Sequence, residues 1–320
     1  MELSDPDPIF IHGILPRSGT NFLWDLMLLH PDVAAARDPI REDLFLDHSE
    51  SVFSFVSEVR ASWNPLWGDF PPDVADQLLR SIGDGLVSFL WEDRSKRLLS
   101  KSPSVRNLHR FLALFPNGRA VVLLRDGRSV VQSSMSTFGW DFTTAARRWA
   151  EAADEISRFR EAVPEAELRS LIVRYEDLVD AVRPTMEGIL EFCGLDPKTY
   201  DFDRAERLPV RGSSVFFGSG RDAVHWEPVT RDETFDPKRR WDNWTPHMHD
   251  RFWWIAGNQM SDMGYLEEES RRGDRRLVQR MLDARWAIGR ALRWSGFRAR
   301  VRIGTATRPF REKLGLVRSR

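Results

Sequence analysis

The stretch PIFIHGILPRSGTNFLWDLM, residues 8–27, decides the fold. Its first part, PIFIHGI (8–14), is a short apolar run that predicts a buried strand, and a helical pattern follows from Gly19 towards the stop at His30-Pro31. The turn between them holds glycines, a cation and hydroxyls. A turn that joins a strand to a helix N-terminus presents free backbone N–H groups and the positive end of the helix dipole, so the stretch predicts an anion site.

The rest of the chain repeats the alternation of strand and helix. Further short apolar segments predict strands at 97–102, 119–126 and 170–177, and most of them are apolar runs rather than clean alternations. Helical patterns lie at 71–93, 102–116, 127–136, 143–163, 181–194 and 245–265, while 200–245 is predicted to be largely irregular. We therefore expect an α/β fold of three layers, with a mostly parallel central sheet flanked by helices.

Composition limits the class of protein. A chain of 320 residues with 42% hydrophobic residues can bury a sizeable core, and its single cysteine, Cys193, cannot form an internal disulfide. The start MELSDPDP is acidic and lacks the pattern of a signal peptide, and no apolar run reaches the roughly 20 residues of a membrane helix. We expect a cytoplasmic protein.

Charge is spread unevenly along the chain. Residues 271–320 hold 16 basic and 3 acidic residues, whereas the remainder holds 31 basic and 45 acidic ones. We expect a catalytic or binding body at 1–265 and a basic, helical extension at 266–320. Three partners suit that extension: the inner surface of an anionic membrane, the acidic body of the same chain, or a second copy of the chain in a homodimer. Nucleic acid is not expected, because no binding motif accompanies the charge.

The loop itself departs from the ATP-binding type. That type has the pattern G-x4-G-K-[ST], with lysine directly after the second glycine. Here Gly13 and Gly19 are one position further apart, Thr20 follows Gly19 directly, and the cation Arg17 precedes the turn. A guanidinium is a permanent charge whose planar fork matches phosphate or sulfate oxygens. The pattern alone leaves both a ligand site and an ordinary Gly/Ser turn open.

A second stretch, VVLLRDGRSVVQSS (121–134), favours the ligand site. Arg125 stands where an apolar strand ends, and Ser133 follows eight positions later in the next helix, where its side chain can return to the strand's carboxyl end. Together they would bind a second anion, separate from the one expected at the loop after the first strand. Two anion sites at the carboxyl ends of neighbouring strands indicate a nucleotide that is phosphorylated at two separated positions.

Four segments together resemble the sulfotransferases that use 3′-phosphoadenosine 5′-phosphosulfate (PAPS). They are PRSGTN (16–21), RDGRSVVQS (125–133), RYEDL (174–178) and KRRWDNW (238–244), and the resemblance covers residues 8–265. It implies the P-loop-like sulfotransferase fold and transfer of a sulfuryl group to a hydroxyl, less readily an amine, of a glycan, lipid or small metabolite. The product is then 3′-phosphoadenosine 5′-phosphate (PAP), and no metal is required, since fixed cations replace it.

The resemblance also implies roles for individual residues. Arg17 would stabilise the charge that grows on the departing PAP, and Lys101 would touch the transferring sulfuryl group. One branch of the family uses a histidine as the general base, but Pro103 occupies that position here. Other branches carry a glutamate after the first helix, so the resemblance implies Glu42 by preference, followed by Asp43, Asp38 and His48. The residues expected to bind the nucleotide are Pro16, Arg17, Ser18, Gly19, Thr20, Asn21, Arg125, Ser133, Tyr175, Ser213, Ser214, Arg239 and Arg240.

Two rival hypotheses come from other classes. An ATP- or GTP-dependent kinase with an altered loop would use Asp126 to hold Mg²⁺, although the missing loop lysine weighs against it. A non-catalytic nucleotide-binding module would bind PAPS without sulfating any acceptor.

Overall fold

A five-stranded parallel sheet forms the centre of the protein in a computed structural model that describes residues 7–163, 169–209, 238–265 and 276–289. The strands are β1 (Ile9–Gly13), β2 (Val33–Ala35), β3 (Arg97–Ser102), β4 (Arg119–Leu124) and β5 (Ser170–Arg174). They lie in the order β2-β3-β1-β4-β5, and every pairing is parallel. The predicted α/β fold with a mostly parallel sheet is therefore confirmed.

Helices cover both faces of the sheet. The helices of the described ranges are α1 (Thr20–Met27), α2 (Ser49–Ser62), α3 (Pro72–Leu90), α4 (Phe111–Leu114), α5 (Gly127–Phe138), α6 (Phe142–Ala162), α7 (Tyr175–Asp180), α8 (Val182–Cys193), α9 (Phe202–Arg207), α10 (Pro246–Asp262) and α11 (276–289). Within the described ranges, none of them is long and apolar enough to cross a membrane.

The core has two halves because strand side chains alternate between the faces. Ile9 and Ile11 of β1 pack in one apolar cluster with α1 and α8. Phe10, between them, belongs to a second cluster on the opposite face, which includes Trp149 of α6 and Phe252 of α10. Both faces are thus covered, as the near-continuous apolar strands require.

The topology brings three strand ends to one place. β1 is central, and the chain fills the positions on its β3 side before it crosses to β4 and β5. The carboxyl ends of β1, β3 and β4 consequently meet at one edge of the sheet, where ligands of open α/β sheets bind. The loops that follow Gly13 and Leu124 leave from this edge, and Lys101 lies near the end of β3.

Several predicted boundaries were wrong. The helix expected over 102–116 is reduced to a 3₁₀ turn and the four residues of α4, because Asn107 adopts a left-handed backbone (φ 60°) and donates its side-chain amide to Leu46 O and Asp47 O. The strand expected to end at 177 ends at Arg174. Helix α2 and the three-residue strand β2 were not predicted. The domain boundary at 265/266 stays a prediction.

Candidate functional site

The loop between β1 and α1 (residues 14–19) is held tightly against its surroundings. Gly19 has a φ of 99°, and a Cβ at this position would overlap the ring of Tyr175, so only glycine fits. Arg17 also has a positive φ, 83°, which is unfavourable for a long side chain. Backbone strain of this kind persists where the surrounding structure over-determines it, and it clusters at ligand sites.

The start of α1 is open to an anion. Its N-cap is Gly19, and no side chain caps the first turn. The hydroxyl of Ser18 is buried and makes no hydrogen bond with any described residue. Uncapped N–H groups at a helix N-terminus combine hydrogen-bond donors with the positive end of the dipole. Thr20 and Asn21 are the first helical residues, and Pro16 lies in the loop before them.

Three arginines gather beside this loop around one serine, and we call Arg17, Arg125, Arg240 and Ser133 the arginine cluster. The Nε of Arg17 and an Nη of Arg240 both donate to Ser133 Oγ, each at 3.1 Å. An Nη of Arg125 donates to the backbone oxygen of Arg17 at 2.6 Å. Ser133 and Arg125 are buried, so the cluster lines a recess and not an open surface.

Like charge and burial leave the cluster suited to an anion. Burial, and then repulsion by Arg240 and Arg125, lowers the pKa of Arg17 to about 10. Burial and Arg125 likewise lower the pKa of Arg240. Each guanidinium remains charged at neutral pH, so the electrostatic repulsion stays in the folded protein. A bound phosphate or sulfate would relieve it by placing negative charge among the three cations.

Helix α5 brings the distant Arg240 into the cluster. The hydroxyl of Ser129 donates to Lys238 O at 2.5 Å, and Trp244 Nε1 donates to Gln132 Oε1 at 2.8 Å. Ser129, Gln132 and Ser133 share one face of the helix because residues three and four apart are neighbours there. The segment 238–244 is therefore fixed along that face. Arg239, by contrast, is exposed.

The two predicted anion sites adjoin one another. We expected Arg17 to serve one site and Arg125 with Ser133 to serve a second, separate one. In the structure Arg17 turns towards Ser133, and Arg125 supports the backbone of Arg17. The reason is that β1 and β4 are neighbours, with Gly13 paired to Leu123, so that the loops after them start about 5 Å apart.

A second centre lies at the end of β3, and we call Lys101, Glu42 and Asn21 the lysine centre. Lys101 is only 3% exposed. Its Nζ donates to Asn21 Oδ1 and to Glu42 Oε1, the latter at 3.1 Å, and lies 5.7 Å from the ring centroid of Trp24. Glu42 is the more open partner, with a side chain 34% exposed. The centre thus combines a buried cation with a carboxylate that solvent or an acceptor can reach.

Asp43 fixes the position of Glu42. Its backbone N–H donates to Lys101 O at 3.0 Å, and its carboxylate accepts from Ser100 Oγ and from the N–H of Phe45. Asp43 is buried, and this burial raises the pKa of its carboxyl to about 6. The turn at 42–43 is therefore pinned to β3, which holds the Glu42 carboxylate beside Lys101.

The remaining predicted residues occupy other places. Asp38 and His48, the other candidates for the base, are exposed, and His48 forms the N-cap of α2. Tyr175, which we expected to bind the nucleotide, is only 3% exposed and lies under Gly19, with the Arg125 guanidinium 4.4 Å from its ring centroid. It therefore supports the loop from beneath. Ser213 and Ser214 lie outside the described residues.

Sequence reasoning missed the supports of the lysine centre. Trp24 lies one helical turn after Thr20, and this spacing could have placed it beside the loop. The pairing of Ser100 with Asp43 joins residues 57 positions apart, and no local pattern marks it. In the part of the chain that the structure describes, no group of three or more His, Cys, Asp or Glu side chains could hold a metal ion.

Comparison with known proteins gives the context of this geometry. Residues 8–199 match the profile of the sulfotransferase family. The chain is similar to protein-tyrosine sulfotransferase A of Caenorhabditis elegans (29% identical over 201 residues, 58% of this chain and 50% of that protein). It is also similar to protein-tyrosine sulfotransferase 2 of Gallus gallus (24% over 205 residues, 58% and 51%). The chain thus spans about half the length of these curated relatives.

A solved structure is similar across most of its length. The sulfotransferase domain from the curacin biosynthetic pathway covers 82% of this chain and 98% of its own, at 18% identity and a TM-score of 0.45.

Proposed function

Since the chain belongs to the sulfotransferase family, we propose that it transfers a sulfuryl group from PAPS to an acceptor hydroxyl and releases PAP. The observation that carries the proposal is the arginine cluster, which gathers three cations and a hydroxyl from distant parts of the chain at the uncapped start of α1. Such a recess fits a nucleotide with more than one anionic group.

The nucleotide would be held in two parts. The 3′-phosphate would bind Ser133 with Arg125 and Arg240, and the 5′-phosphosulfate would bind the backbone N–H groups at the start of α1. Arg17, which lies between these groups, would contact both ends. When bound, PAPS supplies an activated sulfuryl group, with PAP as the leaving group.

The lysine centre would perform the remaining tasks. Lys101 is buried next to the loop, and its ammonium would neutralise charge on the oxygens that are being transferred. Glu42 would accept the proton of the acceptor hydroxyl, because its carboxylate is the exposed member of the pair. Asp43 and Asn21 would keep these two side chains in place. No step in this scheme requires a protein-bound metal.

The acceptor hydroxyl has several candidate classes. The names of the two curated relatives suggest a protein tyrosine, whereas glycans, lipids and small metabolites also carry suitable hydroxyls. The phenol of tyrosine is more acidic than an aliphatic alcohol, so it needs less help from the base. The hypothesis of a kinase loses support, because the family match runs through the same loop that lacks the kinase lysine.

The experiment is transfer of radiolabelled sulfate from PAPS, without added metal, into a tyrosine-containing peptide and, separately, into an extract of the source cells. We expect label in an acceptor with the wild-type protein and none with Lys101→Met. Lys96→Met, just before the same strand, is the matched control and should retain transfer. Absence of label from every acceptor, although PAPS binds, would contradict catalysis and favour a nucleotide-binding module.

A further inference from the structure

Helix α11 is attached to the body through one of its faces. Asp283 accepts hydrogen bonds from Arg251 at 2.6 Å and from Trp254 at 2.9 Å, and it also pairs with Arg147. Gln279, one turn earlier, is 6% exposed and accepts from Arg251 at 3.0 Å. These contacts fix the rotation of the helix, because its single acidic residue is held on the side that faces the body.

The opposite side of α11 is apolar and exposed. Leu277, Met281, Ala284 and Ile288 are spaced by four, three and four residues, so they form one line along the helix, which we call the apolar stripe. Leu277 is 73% exposed, Met281 65% and Ile288 62%. Met281 follows Gln279 by two residues, a rotation of about 200° around the helix, which places Met281 on the side away from the docked face.

The flanks of the apolar stripe are basic. Arg276, Arg280 and Arg285 are exposed, and the helix has no acidic residue besides Asp283. The sequence that follows, residues 290–320, continues this bias with ten basic residues and one acidic residue. An apolar line between arginines, followed by a basic segment, has the chemistry of a helix that lies in the interface of an anionic bilayer.

A second copy of the chain fits this surface less well. If two stripes packed together, the arginines that flank them would also be brought together, and no acidic side chain on the exposed side could pair with them. Like charges across a packed interface are unfavourable. An anionic lipid surface suits both the apolar stripe and its flanking arginines, since the bilayer accepts the apolar side chains and its headgroups pair with the positive charges.

We propose that α11 docks the protein on the surface of an anionic membrane, with the apolar stripe inserted between the headgroups and the arginines paired with lipid phosphates and carboxylates. This peripheral contact is independent of the proposed sulfuryl transfer, because it uses none of the residues of the arginine cluster or the lysine centre.

The test is co-sedimentation of the full-length protein with vesicles. One set contains only phosphatidylcholine, and the other also contains phosphatidylserine. We expect binding to the second set that weakens as salt is raised. Leu277→Ser with Met281→Ser should lower the partition coefficient by about tenfold or more, because the inserted apolar area is lost. Arg280→Gln with Arg276→Gln should lower binding to the anionic vesicles by about tenfold or more.

Control variants distinguish membrane docking from unfolding and from dimer formation. Leu66, in the turn Pro65–Trp67, is 90% exposed, so Leu66→Ser removes exposed apolar surface outside α11 and should leave binding unchanged. Thermal unfolding of each variant reports whether α11 and the body remain folded; the stripe faces solvent, so we expect unchanged midpoints. The proposal is overturned if the wild-type protein does not bind anionic vesicles, or if the stripe variant binds them as tightly as the wild type. It is equally overturned if sedimentation velocity shows a dimer that the stripe variant dissociates.

Discussion

Replacing Arg17 by glutamine should make the protein more stable while it abolishes most of its activity. Arg17 is buried beside two other arginines, and this environment lowers its pKa from 12.5 to about 10. A lowered pKa in the folded state means that the charged form, which is present at neutral pH, opposes folding. Arg17→Gln removes the charge and leaves a shorter polar side chain.

The size of the effect follows from the pKa. A difference between 12.5 and about 10 corresponds to about 3 kcal/mol against folding at neutral pH. The substitution also loses the hydrogen bond to Ser133 Oγ, and a bond from a charged donor contributes about 1.5–3 kcal/mol. The free energy of unfolding should therefore rise by about 1 kcal/mol, which is about 1–2 °C in the melting temperature of a domain of this size.

The assay is differential scanning calorimetry without nucleotide, together with steady-state sulfuryl transfer. Loss of one preorganised cation that acts on the departing charge should lower turnover by about 10²–10³-fold. Arg119→Gln is the matched control, because Arg119 is partnered by Asp7 and by Phe192 O, at the opposite end of the sheet. It should destabilise the fold and spare turnover. If the Arg17→Gln protein were less stable than the wild type, or if its turnover were normal, the charge argument would be refuted.

Three further substitutions test other parts of the site. In calorimetric titrations, Arg240→Gln should lower the affinity for PAP by about tenfold or more, because one charge-assisted hydrogen bond to the 3′-phosphate is lost, and should leave the affinity for adenosine 5′-phosphosulfate unchanged. Arg239→Gln, which changes the exposed neighbour, should bind both nucleotides normally. Glu42→Gln should lower kcat by about 10²–10⁴-fold without changing the affinity for PAP. If the variant were as active as the wild type at every pH, Glu42 would be excluded as the base. Burial raises the pKa of Asp43 from 3.8 to about 6, so its contribution to stability is present below pH ~4 and is lost as pH rises through ~6. In urea unfolding at several pH values, Asp43→Asn should remove that fall, which is about 3 kcal/mol at most. A pH profile equal to that of the wild type would mean that the Asp43 carboxyl has the same pKa in the folded and unfolded states.

The features that the sequence predicted are local ones. The strands β1, β3 and β4 are short apolar runs bounded by turn signals, so their positions follow from burial alone. The loop residues Arg17 to Asn21 and the pair Arg125 and Ser133 are spaced along one strand–turn–helix unit each. For that reason, an anion site could be proposed at both places before their geometry was known.

The features that the sequence did not predict depend on contacts between distant segments. Strand β2 has three residues and forms only because β3 offers it an edge. The bond of Arg17 to Ser133 joins residues 116 positions apart, and the anchoring of Glu42 by Asp43 depends on Ser100 of another strand. Propensity and spacing carry no information about such pairs, because tertiary packing decides them.

The most direct test of the arginine cluster compares PAP with adenosine 5′-phosphate in calorimetric titrations without metal. The two ligands differ only in the 3′-phosphate, which would meet Ser133, Arg125 and Arg240. Two charge-assisted hydrogen bonds would make PAP bind about 100-fold more tightly or better. Equal affinities, or binding that appears only when Mg²⁺ is added, would contradict the account.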